Sequence, residues 1–279
     1  MLAFLMLVVT VSAPLIYATM AGYASERSGV INIGLEGKML FACFLCAAIS
    51  PRMGAIPGLL AAIMGATVLS IIHWVLTQKF RMDSIISGMA INLFAAGSSS
   101  FLKFQFTTGQ IMRDDQKIPL NLFYITALLA PLALYWLASR TRFGVRLRSS
   151  GSDPDRTRMA GINPERVRFL SLLLTGLGCG IAGALLASET NQFSDNMTAG
   201  RGFIALAALI LGGWRPIQSG LACLAFGAAT AVQIKMTGQT VGGIEIPSEA
   251  WKSLPYLVTI IALSGFVGKS KAPSGLGKL

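Results

Sequence analysis

The chemistry open to this chain is narrow. One histidine, His73, stands without a second, so no H-E-x-x-H zinc-protease pair can be built. No G-x-S-x-G elbow is present either. Gly37-Lys38 is the nearest approach to a phosphate-binding loop. Met39 follows where Ser or Thr is required, and Asn32 stands where the first glycine belongs. ATP hydrolysis by that route is excluded, and the chain reads as a non-enzyme. Cys43 and Cys46 form a C-x-x-C, but no second pair or neighbouring histidine completes a zinc set. All four cysteines, with Cys179 and Cys223, fall in apolar runs and read as small packing residues; no metal and no cofactor is expected.

The remaining chemistry-bearing groups are Glu36, Lys38, Asn32 and Asn92, each placed among apolar residues. Ionisable groups are costly in lipid, and proton- or sodium-coupled carriers usually hold acidic or histidine groups deep in the bilayer. Their scarcity argues for an external energy source. Asn92 requires a partner, either another helix or a solute. His73, near the inner end of its run, reads as a structural or interfacial residue.

These groups must be positioned by helices in a membrane. Hydrophobic residues make up 53% of the chain and charged residues 13%, and the mean hydropathy is +0.64. Soluble domains carry roughly 25% charged residues. Met1–Ser25, Met53–Gln78, Ser84–Leu102, Ile118–Ser139, Phe169–Ser188 and Pro216–Ile234 contain no Lys, Arg, Asp or Glu. A membrane-crossing helix needs about 20 such residues, and barrel strands are far shorter. Three shorter runs, Met39–Pro51, Gly202–Trp214 and Ser253–Gly268, bring the expected number of spans to about nine. The first run lacks the basic start of a cleavable signal, because the first Lys or Arg is Arg27. The chain is thus expected to be all-α and polytopic, one transmembrane domain over 1–279.

The formal charge of +11 would suit nucleic acid, but its placement suits topology better, and no nucleic-acid partner is expected. With alternating spans, one set of connections holds 15 of the 23 basic residues, including the eight arginines from Arg140 to Arg168. The other set holds seven. The positive-inside rule places the N-terminus outside and the C-terminus in the cytoplasm of a multi-pass protein of the cell (inner) membrane.

Within the cytoplasmic segment 140–168, Asp153 can cap free amides, Pro154 fits the first helical position, and Asp155 suits the positive helix end. Gly161 can close the helix in the left-handed conformation. A two-turn helix over Pro154–Ala160 is predicted. Two further segments look irregular and resemble each other, Arg27-Ser-Gly-Val-Ile-Asn-Ile-Gly and Arg201-Gly-Phe-Ile-Ala-Leu-Ala. Short interrupted segments in matching positions of two inverted halves point to a transporter's substrate site. Gly176, Gly178, Gly180 and Gly183, then Gly212-Gly213, mark places where helices can approach closely.

Ser28-Gly-Val-Ile-Asn-Ile-Gly-Leu-Glu-Gly37 resembles the hallmark of permease subunits of ATP-binding-cassette importers of the ribose and branched-chain amino acid type, most nearly the branch for simple sugars and purine nucleosides. Ile86-Ser-Gly-Met-Ala-Ile-Asn92, Thr141-Arg-Phe-Gly-Val-Arg-Leu-Arg148, Gly200-Arg-Gly-Phe-Ile-Ala-Leu-Ala207, Ile246-Pro-Ser and Leu254-Pro-Tyr extend the resemblance over nearly the whole chain. Asp153 replaces the usual Asn before Pro154, and Arg156-Thr157 replace two small residues; the capping logic survives the first change. The resemblance implies a type II importer fold with inverted repeats and a heterodimer with a second homologous permease. It further implies a cytoplasmic ATPase and an extracytoplasmic solute-binding protein. It places a substrate pathway near Asn32, Glu36, Asn92 and Phe203. Docking to the ATPase is implied through Asp153, Pro154, Asp155, Arg156, Arg158, Met159, Ala160 and Gly161. A nucleoside or simple sugar is the implied solute; the alternatives are a riboflavin-type solute or an ion-coupled carrier acting alone.

Overall fold

The computed structural model describes residues 1–107, 111–237, 240, 241, 244, 245, 250, 251, 253, 257, 258, 260 and 272–278. Helix α1 (Leu2–Arg27) runs from one end of the bundle to the other, and a seven-residue connection leads to α2 (Leu35–Met53). Then follow α3 (Ala55–Trp74), drawn out by a wider turn to Lys79, and α4 (Ser84–Phe106). A short turn (Asp114–Gln116) precedes α5 (Leu120–Arg140). The polar helices α6 (Arg142–Ser152) and α7 (Pro154–Met159) lead to α8 (Pro164–Thr190), α9 (Arg201–Leu211) and α10 (Pro216–Met236). Two short strands, β1 (Thr240–Val241) and β2 (Ile244–Glu245), pair antiparallel with Thr240 opposite Glu245.

Helix α8 is the hub, packed by α1, α2 and α3. Its glycines make this possible: Gly178 faces Ala21 of α1, Gly183 faces the Met39 carbonyl of α2, and Gly176 and Gly180 face Thr67 and Ile63 of α3. A methyl group on any of them would collide with the neighbouring helix, so the glycine spacing in the sequence was indeed a packing signal. The core between these helices is built of alanines, the buried cysteines Cys43, Cys46 and Cys179, and a few larger residues such as Met39, Phe44 and Leu185.

Six helical stretches among the described residues are long and apolar enough to cross a bilayer, against the nine expected. The reasons differ. The run Met39–Pro51 lies in α2, whose length would suffice but which carries Glu36, Lys38 and Arg52. The run Gly202–Trp214 yields α9 of 11 residues. At about 1.5 Å per residue it falls well short of the roughly 30 Å of hydrocarbon. The run Ser253–Gly268, and the motifs Ile246-Pro-Ser and Leu254-Pro-Tyr, fall largely or wholly outside the described residues.

Contacts define two ends of the bundle. One gathers Arg27, Gln78, α6, α7 and the C-terminal residues: Gly277 N donates to Gly29 O and Gly275 N to Gly151 O, both at 2.9 Å. The other gathers Arg52, Phe106, Gln116, Lys103, Asn191 and Asp195.

Candidate translocation core and coupling surface

The connection Ser28–Gly34 breaks the helical path inside the bundle, and its polar groups are shared between backbone partners in α1 and at Gly277 and side chains of α4, α6 and α8. Gly29, at φ +102°, turns the chain after α1. Asn32, fully buried, donates from Nδ2 to Ser25 Oγ (3.1 Å) and accepts at Oδ1 from Lys38 Nζ (3.0 Å). Lys38 is itself fully buried, with Nζ 3.2 Å from His73 Nδ1. The lone histidine therefore sits inside the bundle against the buried lysine, away from the interface. No carboxylate pairs with Lys38 among the described residues; its ammonium is held by an amide oxygen and an imidazole.

Asn92 of α4 completes this loop. Its Oδ1 accepts from Gly37 N (2.8 Å), and its Nδ2 donates to Ile33 O (3.1 Å). One turn earlier, Gly88 packs on the Gly34 backbone, where a Cβ would lie 2.9 Å from Gly34 N. The spacing Gly88 to Asn92 thus puts a gap and an amide on one face of α4, against the broken segment. Of the two partners open to Asn92, the structure supplies another helix.

Glu36 joins the two look-alike segments. Its Oε1 accepts from Gly200 N (2.8 Å) and its Oε2 from Gly202 N (2.6 Å). These are amides at the start of α9, where Gly200 stands at φ +81° and no side chain of the helix itself provides a cap. A carboxylate at the positive end of a helix, accepting charge-assisted bonds from free amides, is favourable electrostatically and by bond count. Helix α9 lies alongside α1, with Thr19 Oγ1 donating to Ala205 O (3.0 Å) and Trp214 Nε1 to Glu26 Oε2 (2.6 Å). That register puts the start of α9 beside the middle of α1. The ends of two interrupted helices thus meet deep in the bundle, tied by one buried carboxylate. Phe203, next along α9, is 47% exposed and turns away from this tie. Asn32, Glu36 and Asn92 are therefore gathered around one break, while Phe203 lies on an outer face.

The segment 140–168 has the local structure its residues dictate. Asp153 Oδ1 accepts from Arg156 N (3.0 Å), Pro154 opens α7, and Gly161 closes it at φ +76° with Ile162 N bonded to Thr157 O (3.1 Å). The helix ends at Met159, with Ala160 as its cap. Asp153 pairs with Arg156 and Asp155 with Arg158, all on the surface, and Met159 is 80% exposed. An exposed apolar side chain among paired charges on a rigid two-turn helix is a surface suited to a partner's groove.

The segment is bonded directly to the core. Gly151 of α6 packs on the Arg27 carbonyl so closely that no side chain fits. Ser150 Oγ donates to Ser28 O (3.3 Å). Arg168, 1% exposed, donates from Nε to Ser28 O (3.3 Å), from Nη1 to Gln78 Oε1 (2.8 Å) and from Nη2 to Lys278 O (2.7 Å). In the sequence Arg168 is one basic residue among many; its only local signal is a position just inside α8, next to the exposed Arg166. Lys38 and His73 were likewise visible singly but not as a pair.

Comparison with known proteins agrees with this architecture. Residues 4–263 match the family model described as branched-chain amino acid transport system / permease component. The nucleoside ABC transporter permease protein NupC of Lactococcus lactis is 35% identical, over 95% of this chain and 92% of its own. The guanosine ABC transporter permease protein NupQ of Bacillus subtilis is 34% identical, with the same coverage. A solved inward-facing conformation of a putative metal-chelate type ABC transporter superposes with a TM-score of 0.54 at 14% identity, over 94% of this chain and 85% of that one; it shares the fold. A broken helix pair at the core, an exposed capped helix bonded to it, and a family match over nearly the whole chain lead to one conclusion: the chain belongs to the permease-component family of the branched-chain amino acid transport systems, as a multi-pass subunit of an ABC transporter.

Proposed function

We propose that the chain is one half of the permease of an ATP-driven importer for nucleosides, with ATP hydrolysis residing in a partner ATPase that seats on α7. The end bearing Arg27, α6, α7 and Lys278 faces the cytoplasm, and Met1 lies outside. An extracytoplasmic binding protein delivers the solute, and a second homologous permease supplies the other wall of the path. The solute class rests on the two relatives named for nucleosides and guanosine. The observation that carries the mechanism is the bonded route from α7 through Gly151, Ser150 and Arg168 to Ser28. A push on α7 reaches the break at Ser28–Gly34, and from there Glu36 moves with the start of α9. Asn32, Glu36 and Asn92 act in this reading by holding the break beside the path, with Phe203 facing the solute from the outer side of α9. In this reading the two interrupted segments are counterparts in inverted halves, with the path near the middle of the membrane.

The test is uptake of radiolabelled guanosine by cells carrying the complete system, with ribose and riboflavin as competitors. Expected are uptake lost on ATP depletion, kept when the proton gradient is collapsed, and competed by nucleosides alone. Uptake that survives ATP depletion would reassign the chain to ion-coupled carriage. A cysteine at Met159 should cross-link to the ATPase and react with impermeant reagents from the inner face alone; reaction from outside would overturn the orientation.

A further inference from the structure

A cleft of about 540 Å³ opens between α1, α5, α6 and α10 at the end of the bundle that carries α7. Its walls carry Tyr23, Arg27, Tyr135, Arg148, Trp214 and Arg215. None of these three arginines takes part in an ion pair among the described residues. The Nε of Arg27 is buried and has no hydrogen-bond acceptor. The nearest carboxylate in sequence, Glu26, is 2% exposed and receives the indole N–H of Trp214. The first turn of α10, Pro216 to Gln218, also faces the cleft, and this 21-residue helix has neither a side-chain cap nor an acidic residue in its first turn. Three guanidiniums without a carboxylate partner among the described residues, Arg27 beside the Tyr23 hydroxyl, and the first-turn amides of α10 therefore surround one space. Such a space holds an anion with several acceptor oxygens.

The surroundings decide where that anion comes from. Leu128, Leu132 and Tyr135 of α5 and Ile217 and Leu221 of α10 are exposed, and they lead away from the cleft along two membrane helices. Tyr135, half exposed beside the cleft, supplies an aromatic group of the kind found at the membrane–water boundary. A phosphate with acyl chains fits both features, whereas a free phosphate uses only the first. We infer that this cleft is a binding site for the headgroup of an anionic phospholipid of the cytoplasmic leaflet, its acyl chains lying along the α5–α10 face. The leaflet rests on the orientation given above; the site's chemistry does not, and the test below does not use transport.

The purified full-length chain in neutral detergent is titrated with phosphatidylglycerol, cardiolipin, phosphatidylcholine or inorganic phosphate. Retained lipid is counted by native mass spectrometry and protection by thermal melting. Expected is retention and protection with the two anionic lipids, weak retention of phosphatidylcholine, and no protection by phosphate. Arg148→Gln and Arg215→Gln, both exposed and structurally undemanding, should each lower the apparent affinity for phosphatidylglycerol about fivefold. Arg27→Gln should do the same, and Arg166→Gln, an exposed arginine at the same end but outside the cleft, should leave it unchanged. Equal protection by inorganic phosphate would make the site one for a free anion and overturn the inference. Equal retention of phosphatidylcholine, or full affinity in the cleft variants, would overturn it as well. Because guanosine uptake plays no part, a wrong solute assignment leaves this result standing.

Discussion

The end of the bundle bearing α6 and α7 and the end bearing Lys103 and Asp195 are fastened in different ways. At the first, Arg168 is 1% exposed and spreads three hydrogen bonds over the α1–α2 connection, the turn after α3 and the C-terminal residues. At the second, Lys103 Nζ meets Asp195 Oδ2 at 2.8 Å, but the two side chains are 28% and 53% exposed. Water and salt weaken the exposed pair, while the buried guanidinium would be left with unpaired carbonyls and no solvent if its bonds broke. On the proposed coupling, a displacement of α7 would pass through the buried node and not through the exposed pair.

Replacing Arg168 with Met is the most direct way to break this contrast. It takes the guanidinium donor from Gln78 Oε1 and Lys278 O and leaves Ser28 O with Ser150 Oγ alone, and we expect a loss of about 3 kcal/mol in unfolding free energy, with nucleoside uptake abolished, read by thermal melting and uptake. Next in size is Glu36→Gln, which keeps one amide acceptor but turns an NH2 group toward the other amide. A cost of about 2 kcal/mol is expected, with uptake falling more than stability because the start of α9 loses its tie. Asp153→Ala removes the α7 cap and should cost about 1 kcal/mol, localised to α7. Stimulation of the partner ATPase should fall while the melting temperature of the isolated chain barely moves. An Asp153→Ala chain that stimulates fully would show that the cap is dispensable for coupling.

The smallest effect is expected at the opposite end. Lys103→Met should change stability by less than about 1 kcal/mol and leave uptake intact. The Lys103 ammonium bonded to Asp195 holds that carboxyl below its usual range. A lowered carboxyl contributes stability above its unfolded value of about 4 and loses it as pH falls through the lower folded value. Between neutral pH and about pH 5 the pair's contribution should therefore be constant, fading only in more acidic solution. A melting temperature that tracked this pair near neutrality would show that the exposed end is fastened as firmly as the buried one.

Much of the fold was legible because its causes are local or concern solvent. Charge-free runs long enough for the hydrocarbon named the long helices, and α7 was written in Asp153, Pro154 and Gly161, which act on their own neighbours within four residues. Among the described residues the crossings fall short of nine where composition and length part company. Gly202–Trp214 is apolar enough for lipid, but it forms a short helix that starts deep in the bundle, and only its packing on α1 and Glu36 reveals that. Asn32, Glu36 and Asn92 could be picked out as polar residues in apolar runs, yet their partners could not.

Residue types and their local spacing suffice to put this protein in a bilayer, to mark its long helices and to cap the exposed helix Pro154–Met159, because partitioning and capping depend on a residue and its near neighbours. Tertiary structure alone decided that Glu36 caps a helix 166 positions away in sequence and that Arg168 reaches back 140 positions to Ser28. Those bonds exist because the glycines of α8 bring α1, α2 and α3 together, and no local property of either partner specifies the other.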